Sequence, residues 1–171
     1  MTDSEPPDVA PDVARDRPQL LLTTEPDTVA ALGEGVLGLG GLVRRLRGAR
    51  MRTEAGLQAE FARRLEFPAY FGHNWAALED CLTDLEWLPA PAYLLVIEEA
   101  EQVLIDEPPE RTGLFGDLLI GAVGAWATPV AEGEWWDRLG VPFHVVLLTG
   151  EVDAAALARR WAGAGVALRR L

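Results

Sequence analysis

Three groups of residues in this chain are of the types and spacing from which active sites are built. Cys81 follows His73 by eight positions, and His144 is the second of two histidines. A thiol brought within hydrogen-bond reach of an imidazole makes a nucleophile and its base. Glu98, Glu99, Glu101 and Asp106 could offer oxygen ligands to Mg²⁺, the starting point for metal-dependent hydrolysis. Gly33, Gly35 and Gly38 satisfy the spacing G-x-G-x-x-G, which at the N-terminus of a Rossmann helix lets the backbone approach a pyrophosphate.

The elements that must position these groups argue against all three. Cys81 lies beside the core stripe of a helix, where a cysteine is inert filling. His73 stands just before a helix N-cap and reads as a loop-packing or capping residue, while His144 lies in a buried-strand pattern. The acidic run has no paired element supplying further ligands at a fixed spacing, so no metal is expected. The glycines do not directly follow a strand, and the apolar run after Gly38 leads into another strand, so they read as a Gly-rich helix end and turn. With no Ser/His/Asp set and no phosphate loop, the chain is expected to be a binding protein, not an enzyme, and to need no cofactor.

The stretch that organises the rest is Phe67 to Pro89, FPAYFGHNWAALEDCLTDLEWLP. Pro68 biases Phe67 toward extended geometry, which should end the preceding helix near Glu66. Gly72 permits a turn and Asn74 is a good N-cap. From there Trp75, Leu78, Leu82 and Leu85 form one apolar helical stripe. Ala76, Asp80, Thr83, Asp84 and Trp87 fan out on the opposite side, with Asp80 near its centre and Glu79 on its flank. A carboxylate is thereby presented outward from a rigid helix.

The run Pro68, Tyr70, Phe71, Gly72, Asn74, Ala77, Leu78, Asp80, Cys81, Leu82 and Thr83 resembles the barstar family, intracellular inhibitors of secreted ribonucleases. The resemblance is clear over roughly 42–99 and topological beyond. It implies a three-layer α/β fold with a small parallel sheet of three core strands, here extended by one or two, flanked by helices. It implies that the loop and helix plug a nuclease active site, with Asp80 in the place of a substrate phosphate and Tyr70 against the nuclease. Gly72, His73, Glu79 and Asp84 would belong to the same partner-binding surface. Ala76 and Glu79 stand where the family has a contacting aspartate and a contacting tryptophan, so either the nuclease differs or the contacts have moved. The implied function is occlusion of a basic ribonuclease, for intracellular protection or toxin immunity, by a monomeric inhibitor. An adaptor that keeps the fold but binds a non-nuclease partner is the alternative, and a metal-dependent hydrolase using the acidic run a more distant one.

Charge restricts the partners independently. The chain has 27 acidic and 15 basic residues, a net charge of −12, and no lysine. Such a protein is repelled by nucleic acid and anionic membranes and attracted to basic proteins. Between Arg64 and Arg111 there is no basic residue against 11 acidic ones, which suggests a one-sided acidic partner surface. A single cysteine excludes an internal disulfide and fits a reducing compartment. No signal-like start and no run near the ~20 apolar residues of a membrane span is present, so a cytoplasmic protein is expected.

In chain order, residues 1–18 (four prolines, no large apolar cluster) should be an acidic disordered tail and 19–171 one domain. The expected elements are a strand over 19–24, a helix over 27–37, a strand over 42–47 and a Thr53-capped helix over 54–66 with Leu57, Phe61 and Leu65 inward. After the Asn74 helix follow a strand over 93–98, a helix over 114–127, a strand over 143–149, a helix over 154–162 and a final strand over 166–171. Alternating strands and helices imply a parallel sheet. The helix at 54–66 should lie beside the Asn74 helix and pin Tyr70 and His73 between them. Trp135 and Trp136, in the long loop 131–142, are expected to cover the sheet, with a second contact surface as the alternative.

Overall fold

The computed structural model describes residues 19–171 except Trp136. The tail at 1–18 and the covering role expected of Trp136 therefore lie outside the described residues. The elements are β1 (Gln19–Thr23), α1 (Pro26–Gly38), β2 (Leu42–Arg47), α2 (Glu54–Arg64), α3 (Trp75–Asp84), β3 (Tyr93–Glu98), α4 (Pro109–Ala127), β4 (Phe143–Leu148), α5 (Glu151–Gly163) and β5 (Arg169–Arg170). Short 3₁₀ turns follow β2 at Gly48–Arg50 and β3 at Ala100–Gln102.

All pairings between these strands are parallel, in the order β2-β3-β4-β1-β5. The expected three core strands are β2, β3 and β4, with β2 at one edge, and β1 and β5 extend the sheet beyond β4. Alternation along each strand sorts the core into two layers, as the period of two requires. Tyr93, Leu95, Ile97, Phe143, Val145 and Leu147 face α2 to α5, while Leu94, Val96, Val146 and Leu21 face Val29, Leu32 and Val36 of α1. The result is a three-layer α/β fold with one helix on one face and four on the other. Both faces of β3 and β4 are covered, which explains why YLLVIE and FHVVLL are near-continuous apolar runs.

Several boundaries differ from expectation for local reasons. α4 begins five residues early because Pro109 occupies its first turn, where a missing N–H costs nothing. α2 ends at Arg64, and Glu66 adopts φ 53° just before the Phe67–Pro68 pair. Gly33, Gly35 and Gly38 lie inside and at the end of α1, not at its N-terminus, so their backbone amides are committed to the helix. Among the described residues no helix is long and apolar enough to cross a membrane.

Candidate partner-binding site

The loop entering α3 is held by aromatic packing. Phe67 lies edge-on to Phe71 at 4.9 Å and to Trp87 at 5.9 Å, and the Trp87 indole N–H donates to the Leu65 carbonyl at 2.9 Å. Phe71 is buried and its ring lies 4.6 Å from that of His73. Within the turn that Gly72 is expected to permit, the left-handed residue is His73, at φ 50°, a region that histidine enters more readily than most side chains. Gly72 serves by its size. A Cβ there would lie 3.1 Å from Asn74 Nδ2, which donates to the Gly72 carbonyl at 3.3 Å. Asn74 Oδ1 accepts from the Ala77 N–H at 2.8 Å, the expected cap.

α3 buries Leu78, Cys81, Leu82 and Leu85, with Trp75 half-buried against Phe115 of α4 at 6.3 Å. The Trp126 indole donates to the Leu82 carbonyl, one of the last-turn acceptors without an intrahelical partner. Leu85 closes the helix at φ 49°, a conformation that costs a non-glycine residue about 1–2 kcal/mol. Full burial of its side chain, worth about 1.5–3 kcal/mol, offsets that cost.

The helix neighbour of α3 is α4, not α2 as expected, because α2 is taken up by β2. Arg44 of β2 donates to the Arg64 carbonyl, and Glu60 of α2 accepts from the Arg47 N–H. Tyr70 and His73 are consequently not pinned between two helices. Both are exposed, Tyr70 at 74%. Desolvation, with the nearby Glu86 and Asp84 carboxylates adding to it, holds the Tyr70 phenol above its ordinary pKa. It remains a hydrogen-bond donor at neutral pH.

Ala76, Glu79, Asp80 and Asp84 are exposed. Glu79 leans toward Gly121 of α4, and Thr83 hydrogen-bonds back to the Glu79 and Asp80 carbonyls. The acidic stretch as a whole is not the one-sided surface that its sequence suggests. Glu66 pairs with Arg44, Glu98 with Arg45, Glu99 with Arg47 and Asp106 with Arg52, all at 3.2 Å or less. Glu101 accepts from the Thr149 hydroxyl at 2.6 Å. By contrast Glu79, Asp80, Asp84 and Glu86 form no ion pair among the described residues. Four of the acids without an ion pair thus lie together on α3 and the turn after it; Glu107, which accepts from the Glu54 N–H, and Glu110 lie apart at the start of α4.

The residues weighed for catalysis are dispersed. Cys81 is 6% exposed, and burial together with the nearby Asp80 and Asp84 charges pushes its thiol pKa up. His144 is buried in β4, among the strands, and His73 sits at the surface. Glu98, Glu99 and Glu101 rim a crevice of 660 Å³ at the carboxyl ends of the strands, already bonded as described. No group of three or more His, Cys, Asp or Glu able to hold a metal occurs among the described residues.

An exposed acidic helix, capped and wedged against a parallel α/β sheet, defines the class of fold. The sequence model of the family described as Barstar (barnase inhibitor) matches residues 42–148, from β2 through β4, and the chain belongs to the barstar family. β1, α1, α5 and β5 lie outside the matched segment. No curated protein matches the chain. Among solved structures, a chain of the Drosophila ORC bound to AT-rich DNA and Cdc6 superposes with a TM-score of 0.49 at 9% identity. The alignment covers 93% of this chain and 50% of that one, so this chain spans about half of that protein's length.

Proposed function

We propose that this protein inhibits a basic ribonuclease by laying α3 and the loop before it over the nuclease active site, as an intracellular safeguard or as immunity to a toxin. The observation that carries the reading is the contrast in charge. Of the other acids in the acid-rich stretch, Glu66, Glu98, Glu99 and Asp106 are matched by arginines, Glu101 is bonded to Thr149 and Glu107 to the Glu54 N–H, whereas Asp80 and its neighbours Glu79, Asp84 and Glu86 form a group of exposed carboxylates without ion pairs. A cluster of phosphate-binding Arg, Lys or His groups in a nuclease is the complementary surface. Asp80 takes the place of the phosphate, Tyr70 donates from the Asp84 side, and Gly72, His73 and Ala76 line the approach.

The test is inhibition of RNA hydrolysis by a panel of small basic ribonucleases that includes barnase. Stoichiometric inhibition by the wild-type chain, lost in Asp80→Ala, is expected. A chain that inhibits none of them would overturn the reading, and an Asp80→Ala variant as potent as wild type would overturn the place given to Asp80.

A further inference from the structure

The loop between α4 and β4 carries two of the most exposed large apolar side chains of the described residues, Trp135 at 89% and Leu139 at 83%. The expectation that Trp135 covers the sheet is thus overturned. Single exposed apolar residues need no explanation, but this pair is displayed by a built support. The loop closes with the Val130–Arg138 bridge, whose two backbone hydrogen bonds measure 2.8 and 2.9 Å. Asp137 accepts from the N–H groups of Glu132 and Gly133, both at 2.8 Å, fastening the turn from inside. Gly140 brings the returning chain against the end of α4, where a Cβ would stand 2.6 Å from the Ala127 carbonyl. Val141 then donates to the Trp126 carbonyl at 2.8 Å.

That support is shared with the acidic helix. The Arg138 guanidinium lies over the Trp126 ring at 4.3 Å, and the same indole holds the Leu82 carbonyl at 2.8 Å. One tryptophan therefore joins the base of the loop to the last turn of α3, the end that presents Asp84. Glu134 and Asp137 continue the acidic sign of that end.

We propose that Trp135 and Leu139 form a second contact patch for the same basic ribonuclease, continuous with the Asp84 end of α3; this rests on the inhibitor reading above. Its role is apolar anchoring beside an electrostatic contact. An exposed tryptophan next to acidic groups suits the flank of a cationic active site, through ring stacking on arginine as well as apolar contact. The patch also gives the interface a large anchor where Ala76 and Glu79 supply none.

The test uses the full chain against the most strongly inhibited ribonuclease of the panel. Dissociation constants are measured for wild type, for Trp135→Ala combined with Leu139→Ala, and for Asp80→Ala, and thermal unfolding checks each fold. The double variant is expected to unfold at the wild-type temperature and to bind at least about 30-fold more weakly, mostly through faster dissociation. If Asp80→Ala weakens binding and the double variant does not, the second patch is overturned while the inhibitor reading stands. If the double variant weakens binding and Asp80→Ala does not, the loop is supported and the place given to Asp80 is wrong. A wild-type chain that inhibits no ribonuclease overturns both readings.

Discussion

The indole N–H of Trp126 donates to the main-chain carbonyl of Leu82 across 2.8 Å of buried interface, tying α4 to the last turn of α3. Replacing Trp126 by Phe keeps most of the apolar volume but leaves that carbonyl without its donor and removes part of the surface under Arg138. A loss of about 1–3 kcal/mol is expected, the usual cost of an orphaned buried group. Urea titration should show a lower midpoint with an unchanged slope; an unchanged midpoint would mean that water replaces the indole without penalty.

The two faces of α3 should separate stability from binding. Asp80 is exposed and outside any ion pair, so Asp80→Ala should change stability by no more than about 0.5 kcal/mol. Leu82 is fully buried, and Leu82→Ala should cost roughly 2–5 kcal/mol. Denaturant unfolding of both variants beside an inhibition assay checks this. If Leu82→Ala retained wild-type stability, the helix would be facing the other way.

Glu60 makes stability depend on acid. Its side chain is 2% exposed; burial opposes its charge, but hydrogen bonds from Arg63, the Arg47 N–H and Arg64 outweigh that, so its pKa lies below the ordinary value. A carboxylate depressed in the folded state contributes stability above its unfolded pKa and loses that contribution as pH falls through the folded one. Wild type should therefore exceed Glu60→Gln by about 1–3 kcal/mol at neutral pH, the cost of impairing a buried charged hydrogen-bond set, and the gap should narrow as pH falls below about 4.5. Parallel unfolding curves across that range test it, and a gap independent of pH would assign the stabilisation to packing.

How far the sequence could be read depended on whether the deciding interactions were local. The Asn74 cap and the Leu78, Leu82 and Leu85 stripe are set by neighbours within a turn or two, and both match the structure. The same holds for the Thr53 cap and for the apolar runs of β3 and β4. The acid-rich stretch misled because its cations come from Arg44, Arg45, Arg47 and Arg52, which parallel pairing and the following turn bring alongside from more than twenty residues away. Helix partners misled for a similar reason. Adjacency in sequence favoured α2 beside α3, whereas the hydrogen bonds of Arg44 and Glu60 draw α2 to the edge of the sheet. Nothing in the spacing of Trp135 distinguished a sheet cover from an exposed tip, because that is decided by the closure of its loop on Trp126.

The salt dependence of association provides the last test, and the ion-pair pattern sharpens it. Negative charges left without ion pairs on α3 attract a basic partner over a distance set by the Debye length, which falls from ~30 Å at 0.01 M salt to ~8 Å at 0.15 M. The association rate should fall about 10-fold or more over that range, while dissociation, governed by desolvated short-range contacts, should change little. The acids are not equivalent. Neutralising Glu98, already matched by Arg45, exposes an arginine and leaves the α3 face untouched, so Glu98→Gln should change the association rate far less than Asp84→Asn does. Asp84→Asn should lower that rate at low salt and flatten its salt dependence. Stopped-flow association with the inhibited ribonuclease measures both. Equal effects of the two substitutions would mean that the partner senses only net charge, and that α3 has no privileged place in the encounter.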